Sequence, residues 1–187
     1  ENMDEAIRYF KLAVDKGSID GYRFYALCLW EGKGVEENKQ KALEYLKKAI
    51  KKRSASAMEI YTNFIDQLGD KSSEKYDETE VAQYYEKEMQ KGDLYATVLY
   101  ANMLNSGTGV KADAAKAREL YEKTVNAEFR LGYHNYGIAL LNGNAEIPPN
   151  KKEAGNMFKN AIKRQNYNSC PYLADMLNDG DGFKKDE

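Results

Sequence analysis

Small and large apolar residues recur along the chain in a fixed order that predicts repeated pairs of helices. Residues 17–35 and 92–110 align without gaps at an offset of 75 residues. In both segments a small residue is followed at helical spacing by tyrosine, alanine and leucine, and then by a Gly-x-Gly-Val turn. Apolar positions three and four residues apart are typical of an amphipathic α-helix. The chain is therefore expected to consist of copies of one helical unit.

Three weaker copies of the pattern lie between and after these two segments. The first small position of the second helix is occupied in turn by Gly21, Ala57, Ala96, Gly132 and Ser169. The second small position, five residues later, holds Ala26, Thr62, Ala101, Gly137 and Ala174. The residues just before this second position are Tyr25, Tyr61, Tyr100, Tyr136 and Leu173. Because no large side chain enters either small column, both columns are expected to lie where helices pack closely.

An aligned Asn or Asp opens the first helix of each unit. These five residues are Asn2, Asn38, Asp77, Asp113 and Asn150, at intervals of 36, 39, 36 and 37 residues. Such side chains accept hydrogen bonds from the unpaired amides of a first helical turn. The intervals fit a helix, a tight turn, a second helix and a return loop. The sequence thus predicts one array over residues 1–187, with units at 2–37, 38–76, 77–112, 113–149 and 150–185 and a sixth beginning at Asp186.

Two return loops depart from the glycine turn. Residues 69–76 are highly polar, and residues 144–149 carry two prolines. Both are expected to be mobile loops, since length varies at little entropic cost at a unit boundary. In the third unit, Val81 and Glu88 replace the alanines usual at the buried face of the first helix.

The unit resembles the Sel1-like repeat, a relative of the tetratricopeptide repeat. The closest matches are the aromatic pairs Tyr9-Phe10 and Tyr84-Tyr85 and the turns at 32–35 and 107–110. The resemblance implies an all-α fold, a right-handed α-α superhelix (solenoid) of five helix-turn-helix repeats. It also implies a non-enzymatic scaffold or adaptor that binds a protein or peptide on its concave face.

One flank of the first helices gathers large amphipathic side chains and lysines. On a helical wheel this flank is offset by about 90° from the buried alanine column. We name it the A-helix stripe. Its members are Tyr9, Leu12, Lys16, Tyr45, Lys48, Lys52, Tyr84, Lys87, Lys91, Leu120, Lys123, Met157, Asn160 and Arg164. A concave stripe of this kind would suit a peptide with acidic residues, whereas the alternative is that the tyrosines pack between helices and the lysines are solvated.

Composition narrows the functional classes. The 187 residues are 42% hydrophobic and 31% charged with a net charge of −2, so no general attraction to nucleic acid is expected. No apolar run approaches the ~18 residues of a membrane span. Cys28 and Cys170 are expected to be buried free thiols in different units, which together with the absence of a glycosylation sequon favours a cytoplasmic location. No cofactor or metal site is predicted, because His134 is the only histidine.

Two other functions stay open at this stage. A hydrolase would need Ser72 and Lys75, which form a Ser-x-x-Lys pattern, to meet each other or His134. Penicillin-binding relatives of the repeat family carry a cysteine pair in each repeat, which this sequence lacks, and His134 is expected to be a surface or loosely packed residue. The third possibility is a passive spacer between other domains. The sequence does not indicate the oligomeric state.

Overall fold

The structure, a computed structural model, describes residues 3–52, 54–68 and 77–180. It divides into two compact units, Glu1–Tyr76 and Asp77–Glu187. The described residues form α-helices and one short 3-10 turn and contain no strand. None of these helices combines the length and apolar character that crossing a membrane requires. The single array predicted over the whole chain stays a prediction.

The described part of the first unit contains four α-helices, which are α1 (Met3–Asp15), α2 (Ile19–Glu31), α3 (Lys39–Lys51) and α4 (Ala55–Leu68). The second unit contains α5 (Glu78–Gln90), α6 (Leu94–Ser106), α7 (Ala114–Asn126), α8 (Arg130–Asn142), α9 (Lys151–Lys163), a 3-10 turn (Tyr167–Ser169) and α10 (Cys170–Asp179). Odd-numbered helices are the first, or A, helices of the predicted repeats, and even-numbered helices are the second, or B, helices. Their lengths of 13 or 14 residues, or 10 for α10, follow the predicted period.

The predicted caps are confirmed wherever the structure describes them. Side-chain oxygens of Asn38, Asp77, Asp113 and Asn150 accept first-turn amides at 2.9, 2.7, 2.9 and 3.0 Å. Each bond satisfies a backbone donor that the helix itself leaves unpaired. Asn2 and Asp186 lie outside the described residues.

Three of these cap residues also bond through their own main chain to the preceding B helix. The amides of Asn38, Asp113 and Asn150 donate to the carbonyl oxygens of Leu29, Leu104 and Leu140 at 2.8, 2.9 and 2.9 Å. The leucines hold the same position in their B helices. The end of a return loop is therefore joined to the helix before it as well as to the helix after it.

The small columns lie where B helices pack against A helices. All five members of the first column are buried. A methyl group on Gly21 would lie 2.7 Å from Ala13 Cβ, and one on Gly132 would overlap Thr124 Oγ1. In the second column Ala26, Ala101 and Gly137 are buried, Thr62 is half-buried and Ala174 is exposed. Close approach of helices thus explains both columns, except at the exposed alanine of α10.

The loop at residues 144–149 is packed, contrary to the mobile loop predicted there. Ile147 is 1% exposed and occupies the register position of the valine that ends the glycine turn of other units. The Asn144 amide donates to the Ile147 carbonyl oxygen at 2.7 Å. An apolar anchor and a local hydrogen bond therefore replace the glycines. The other predicted mobile loop, 69–76, lies outside the described residues.

Glu88 occupies a buried alanine position through an ion pair. Its side chain is almost fully buried on α5, and its Oε1 accepts from Lys91 Nζ at 2.5 Å. Lys91 lies just past the helix end and reaches back over one turn. A buried carboxylate needs a partner of this kind to offset its loss of hydration.

Candidate partner-binding stripe

On α1 the A-helix stripe exposes two large apolar side chains. Tyr9 is 54% exposed and Leu12 is 50% exposed. The Arg8 guanidinium lies over the Tyr9 ring, 5.7 Å from its centroid. Lys16, one turn beyond Leu12, is also exposed. This end of the stripe combines an exposed apolar surface with a cation.

On α3 the stripe is part of a tyrosine cluster. Tyr45 is half-buried and stacks on Tyr22 of α2, with centroids 5.9 Å apart, and it meets Tyr25 edge-on at 5.4 Å. Lys48 Nζ lies 5.0 Å above the Tyr45 ring. A methyl group placed on Gly17 would lie 3.6 Å from the Tyr22 hydroxyl and 3.7 Å from Lys52 Nζ, so these two groups border one point.

Helix α3 is strongly basic. It carries five lysines and one glutamate, and Lys48 and Lys52 are exposed. Neither forms an ion pair with any carboxylate in the described part of the chain. Their cationic groups remain available to an external anion.

In the second unit several side chains of the A-helix stripe contact other residues of the chain. Tyr84 is half-buried and packs edge-on against Tyr85 at 5.7 Å, and Lys91 is paired with Glu88. Arg164 bonds to Glu128 at 3.1 Å and lies 4.5 Å above the Tyr133 ring. Lys87 and Lys123 are exposed, whereas Leu120, Met157 and Asn160 are partly buried. Two of the four stripe cations in this unit, Lys91 and Arg164, are therefore held by carboxylates of the chain.

Several stripe cations also have a structural explanation. Lys52, Lys91 and Arg164 are the C-cap residues of α3, α5 and α9. A positive side chain is favourable at a helix C-terminus because the last carbonyl groups carry partial negative charge. Recurrence of these cations alone is therefore no argument for a ligand. Lys48 lies within α3, so it lacks this explanation.

Sequence reasoning missed the contribution of the B helix to the tyrosine cluster. Both Tyr22 and Tyr25 belong to α2. The sequence predicted Tyr25 only for the buried face of this helix and assigned no role to Tyr22. A signal was present, because Tyr22 lies one residue after the small residue Gly21 and so points to the flank of that contact. The cluster therefore spans two helices.

His134 is half-buried and held by neighbours, which corrects the expected surface or loosely packed residue. Its Nδ1 lies 2.8 Å from Ser169 Oγ, and its ring packs against Phe158 and Tyr172 at 6.2 and 5.6 Å. Ser169 is fully buried, so the pair joins α8 to the start of α10 and offers no open nucleophile. Ser72 and Lys75 lie outside the described residues.

The free energy of unfolding is expected to decrease as pH is lowered through the ordinary histidine range, because burial lowers the pKa of His134. The unfolded chain, with a histidine pKa of about 6.5, then binds more protons than the folded chain. The contribution is fully present above that value and is lost as pH falls toward the lower folded pKa. Melting temperatures of the native chain and His134→Gln between pH 7.5 and 5.5 test this. Equal slopes in both proteins would contradict it, since the chain has one histidine.

The cysteines and the metal-binding residue types offer no site in the described residues. Cys28 and Cys170 are both free, as predicted, but Cys170 is exposed on the first turn of α10 and not buried. Burial raises the pKa of the Cys28 thiol. Within the described ranges, no group of three or more His, Cys, Asp and Glu side chains could hold a metal ion.

A family comparison accounts for most of the chain. The Sel1 repeat model matches residues 1–18, 19–54, 94–128 and 125–166. Each of the three longer segments contains a B helix followed by the next A helix. The family model therefore frames the repeat one helix out of step with units counted from the Asn and Asp caps.

Solved structures show the same fold. The crystal structure of a Sel1 repeat protein from Oxalobacter formigenes is 19% identical, covers 98% of this chain and 72% of its own, and superposes with a TM-score of 0.69. The c5321 protective antigen of uropathogenic Escherichia coli, which displays an SLR fold, is 21% identical with a TM-score of 0.56. This alignment covers 99% of this chain and 39% of the antigen. No curated protein matches the chain. The predicted all-α helical-repeat fold class is confirmed.

Proposed function

The chain belongs to the Sel1 repeat family, and we propose that it is a non-enzymatic scaffold that binds an acidic segment of a partner protein on the part of the A-helix stripe that α1 and α3 carry. Repeats of this family generally mediate protein interactions. Support for the acidic partner comes from α3, where Lys48 lies over the Tyr45 ring and has no carboxylate partner in the described residues. The stripe was expected to line the concave face of the solenoid, and that placement is part of the proposal.

Tyrosine and lysine side chains in this arrangement bind a segment of mixed character. An aspartate or glutamate of the partner pairs with the Lys48 or Lys52 ammonium, and an adjacent apolar side chain packs on the tyrosine rings. Surface ion pairs contribute only about 0–1 kcal/mol each, so several contacts along the stripe are required for useful affinity. Salt weakens such binding, because the Debye length shortens to about 8 Å at physiological ionic strength.

A charge reversal on α3 tests the proposal. The probe is a fluorescein-labelled peptide of alternating glutamate and leucine, titrated with the full chain and followed by anisotropy. Lys48→Glu is expected to weaken binding about tenfold at low salt, equivalent to about 1.4 kcal/mol. Tyr45→Phe, which keeps the ring, is expected to bind with unchanged affinity.

The matched control is Lys111→Glu, which makes the same change of charge on an exposed loop of the second unit. It is expected to leave affinity within twofold of native. Equal weakening by both charge reversals would show that the probe responds only to the net charge of the chain, which would contradict a specific site on α3. No binding of the acidic probe at any salt concentration would overturn the proposal and favour the spacer.

A further inference from the structure

Four asparagines line one small pocket in the second unit, on the B helices α6 and α8. The pocket has a volume of about 200 Å³ and is bordered by Asn102, Asn105, Asn135 and Asn142, with Tyr121 of α7 among the remaining lining residues. We name these four residues and Tyr121 the amide pocket. Its other lining residues, Ile138 and Ala139, are uncharged. The pocket therefore offers hydrogen-bonding groups without net charge.

Neighbouring contacts fix the orientation of Asn105. Asn144 Oδ1 accepts the amides of Glu146 and Ile147 at 3.1 and 2.7 Å. Its Nδ2 must therefore be the donor to Asn105 Oδ1, at 2.8 Å. The Asn105 Nδ2 group is left without an acceptor among the described residues, at the border of the pocket.

A second chain of hydrogen bonds fixes the other amides. Asn135 Nδ2 donates to the Leu131 carbonyl oxygen at 3.0 Å, so its Oδ1 accepts from Asn102 Nδ2 at 2.9 Å. Asn102 Oδ1 then accepts from the Tyr121 hydroxyl at 2.7 Å. Burial raises the pKa of Tyr121 well above its usual range, which keeps that hydroxyl a donor. One Nδ2 proton remains on each of Asn102 and Asn135.

The repeat fold does not itself require amides at these positions. The offset of 75 residues places Leu27 and Trp30 of α2 where α6 has Asn102 and Asn105. Trp30 is buried and stacks on Phe64, with ring centroids 3.8 Å apart. The position that holds Asn105 at the border of a pocket in the second unit is thus filled by a packed tryptophan ring in the first unit. Asn142, in turn, is exposed and has no described hydrogen-bond partner.

Asn105 also borders a larger pocket of about 490 Å³. Asp113, Glu146 and Asn144 are among its lining residues, and no lysine or arginine lines it. One carboxylate oxygen of Asp113 caps α7, so the second oxygen and the exposed Glu146 side chain supply the negative charge. Its remaining walls are short side chains, which let a main chain approach closely. They are Ala112, Ala114, Ala115 and Ala145. The pocket is complementary to a cationic side chain.

We propose that the amide pocket binds the main chain of an extended peptide segment, with a lysine or arginine of that segment in the adjoining acidic pocket. The free Nδ2–H groups of Asn102, Asn105 and Asn135 donate to peptide carbonyl oxygens. The Asn142 carboxamide, which has no partner among the described residues, accepts from a peptide N–H, so together these amides substitute for a neighbouring strand. Main-chain bonds of this kind supply affinity, and the side-chain pocket supplies selectivity. The site is separate from the A-helix stripe and selects the opposite charge.

Selection from a phage-displayed library of random heptapeptides, panned against the full chain, tests this site. Lysine or arginine is expected in the enriched sequences. For a synthetic enriched peptide, Asn142→Ala and Asn105→Leu are expected to weaken binding by tenfold or more in calorimetry. Methylation of one central peptide nitrogen of the ligand should weaken it similarly, because it removes a main-chain donor.

Asn156→Ala is the matched control, since Asn156 is an exposed asparagine on α9 outside the pocket. This variant is expected to bind the peptide with native affinity. Lys48→Glu is also expected to bind it with native affinity, because Lys48 belongs to the A-helix stripe and not to the amide pocket. Enrichment of peptides without a basic residue, equal affinity in Asn142→Ala, or no enrichment at all would overturn the proposal. Displacement of the peptide by maltoheptaose, which has hydroxyl groups but no peptide units, would assign the pocket to a sugar and overturn it as well.

Discussion

Replacing Tyr100 with alanine is expected to lower the free energy of unfolding by about 3–5 kcal/mol. Tyr100 is 4% exposed on α6. Burial, followed by a hydrogen bond to Glu86 of α5, raises the pKa of Tyr100 to about 12. Lys116 of α7 lies over its ring, 5.7 Å from the centroid. Truncation leaves a cavity at a contact of three helices, and urea unfolding followed by circular dichroism measures the loss.

Tyr9→Ala is the control for this change. Tyr9 is the same residue type on α1 but is 54% exposed, so its truncation is expected to cost less than about 1 kcal/mol. A Tyr100→Ala protein that unfolded at nearly the native urea concentration would show that the buried face of α6 has been assigned wrongly.

Gly109→Ala is expected to destabilise the chain by about 2–4 kcal/mol, from backbone strain and overpacking together. Gly109 has φ +64°, a left-handed conformation, and an added Cβ would overlap the carbonyl group of Glu78. That neighbour is main chain in the first turn of α5, so it cannot rotate away. Differential scanning calorimetry gives the change in melting temperature.

Gly92→Ala separates strain from crowding. Gly92 has φ +92°, but nothing lies within 4 Å of the position of its Cβ. The alanine there is expected to cost only about 1 kcal/mol, the penalty of the left-handed backbone. If Gly109→Ala cost no more than Gly92→Ala, the close approach of the 107–110 turn to α5 would be disproved.

Helix positions and caps were predictable because both depend on local chemistry. Period and small residues identify the contact face of α6 without knowledge of its neighbours, and Ala96 and Ala101 are both fully buried. A capping side chain acts within three residues of itself, so Asp113 could be read directly. The role of the A-helix stripe in partner binding stays a prediction, because binding depends on a second molecule as well as on local chemistry.

Features formed between helices escaped the sequence reading. The partners Asn102 and Asn135 are 33 residues apart, and no local pattern pairs them. Glu128 and Gln165 take φ values of +55° and +65° in turns where the first and third units have glycine. A search for glycine alone therefore misses left-handed residues in the later units. Comparison of aligned units would have helped, because Asn105 stands where the first unit has tryptophan.

The double attachment of Asn150 has a practical consequence for protein engineering. Its main-chain bond to Leu140 matches the bonds at Asn38 and Asp113, although the segment between is one residue longer and contains prolines. The same bond therefore joins neighbouring helices across all three connections, although the connecting sequences differ. A foreign epitope inserted between the exposed Pro148 and Pro149, which leaves the buried Ile147 in place, can be displayed without redesign of the helices on either side.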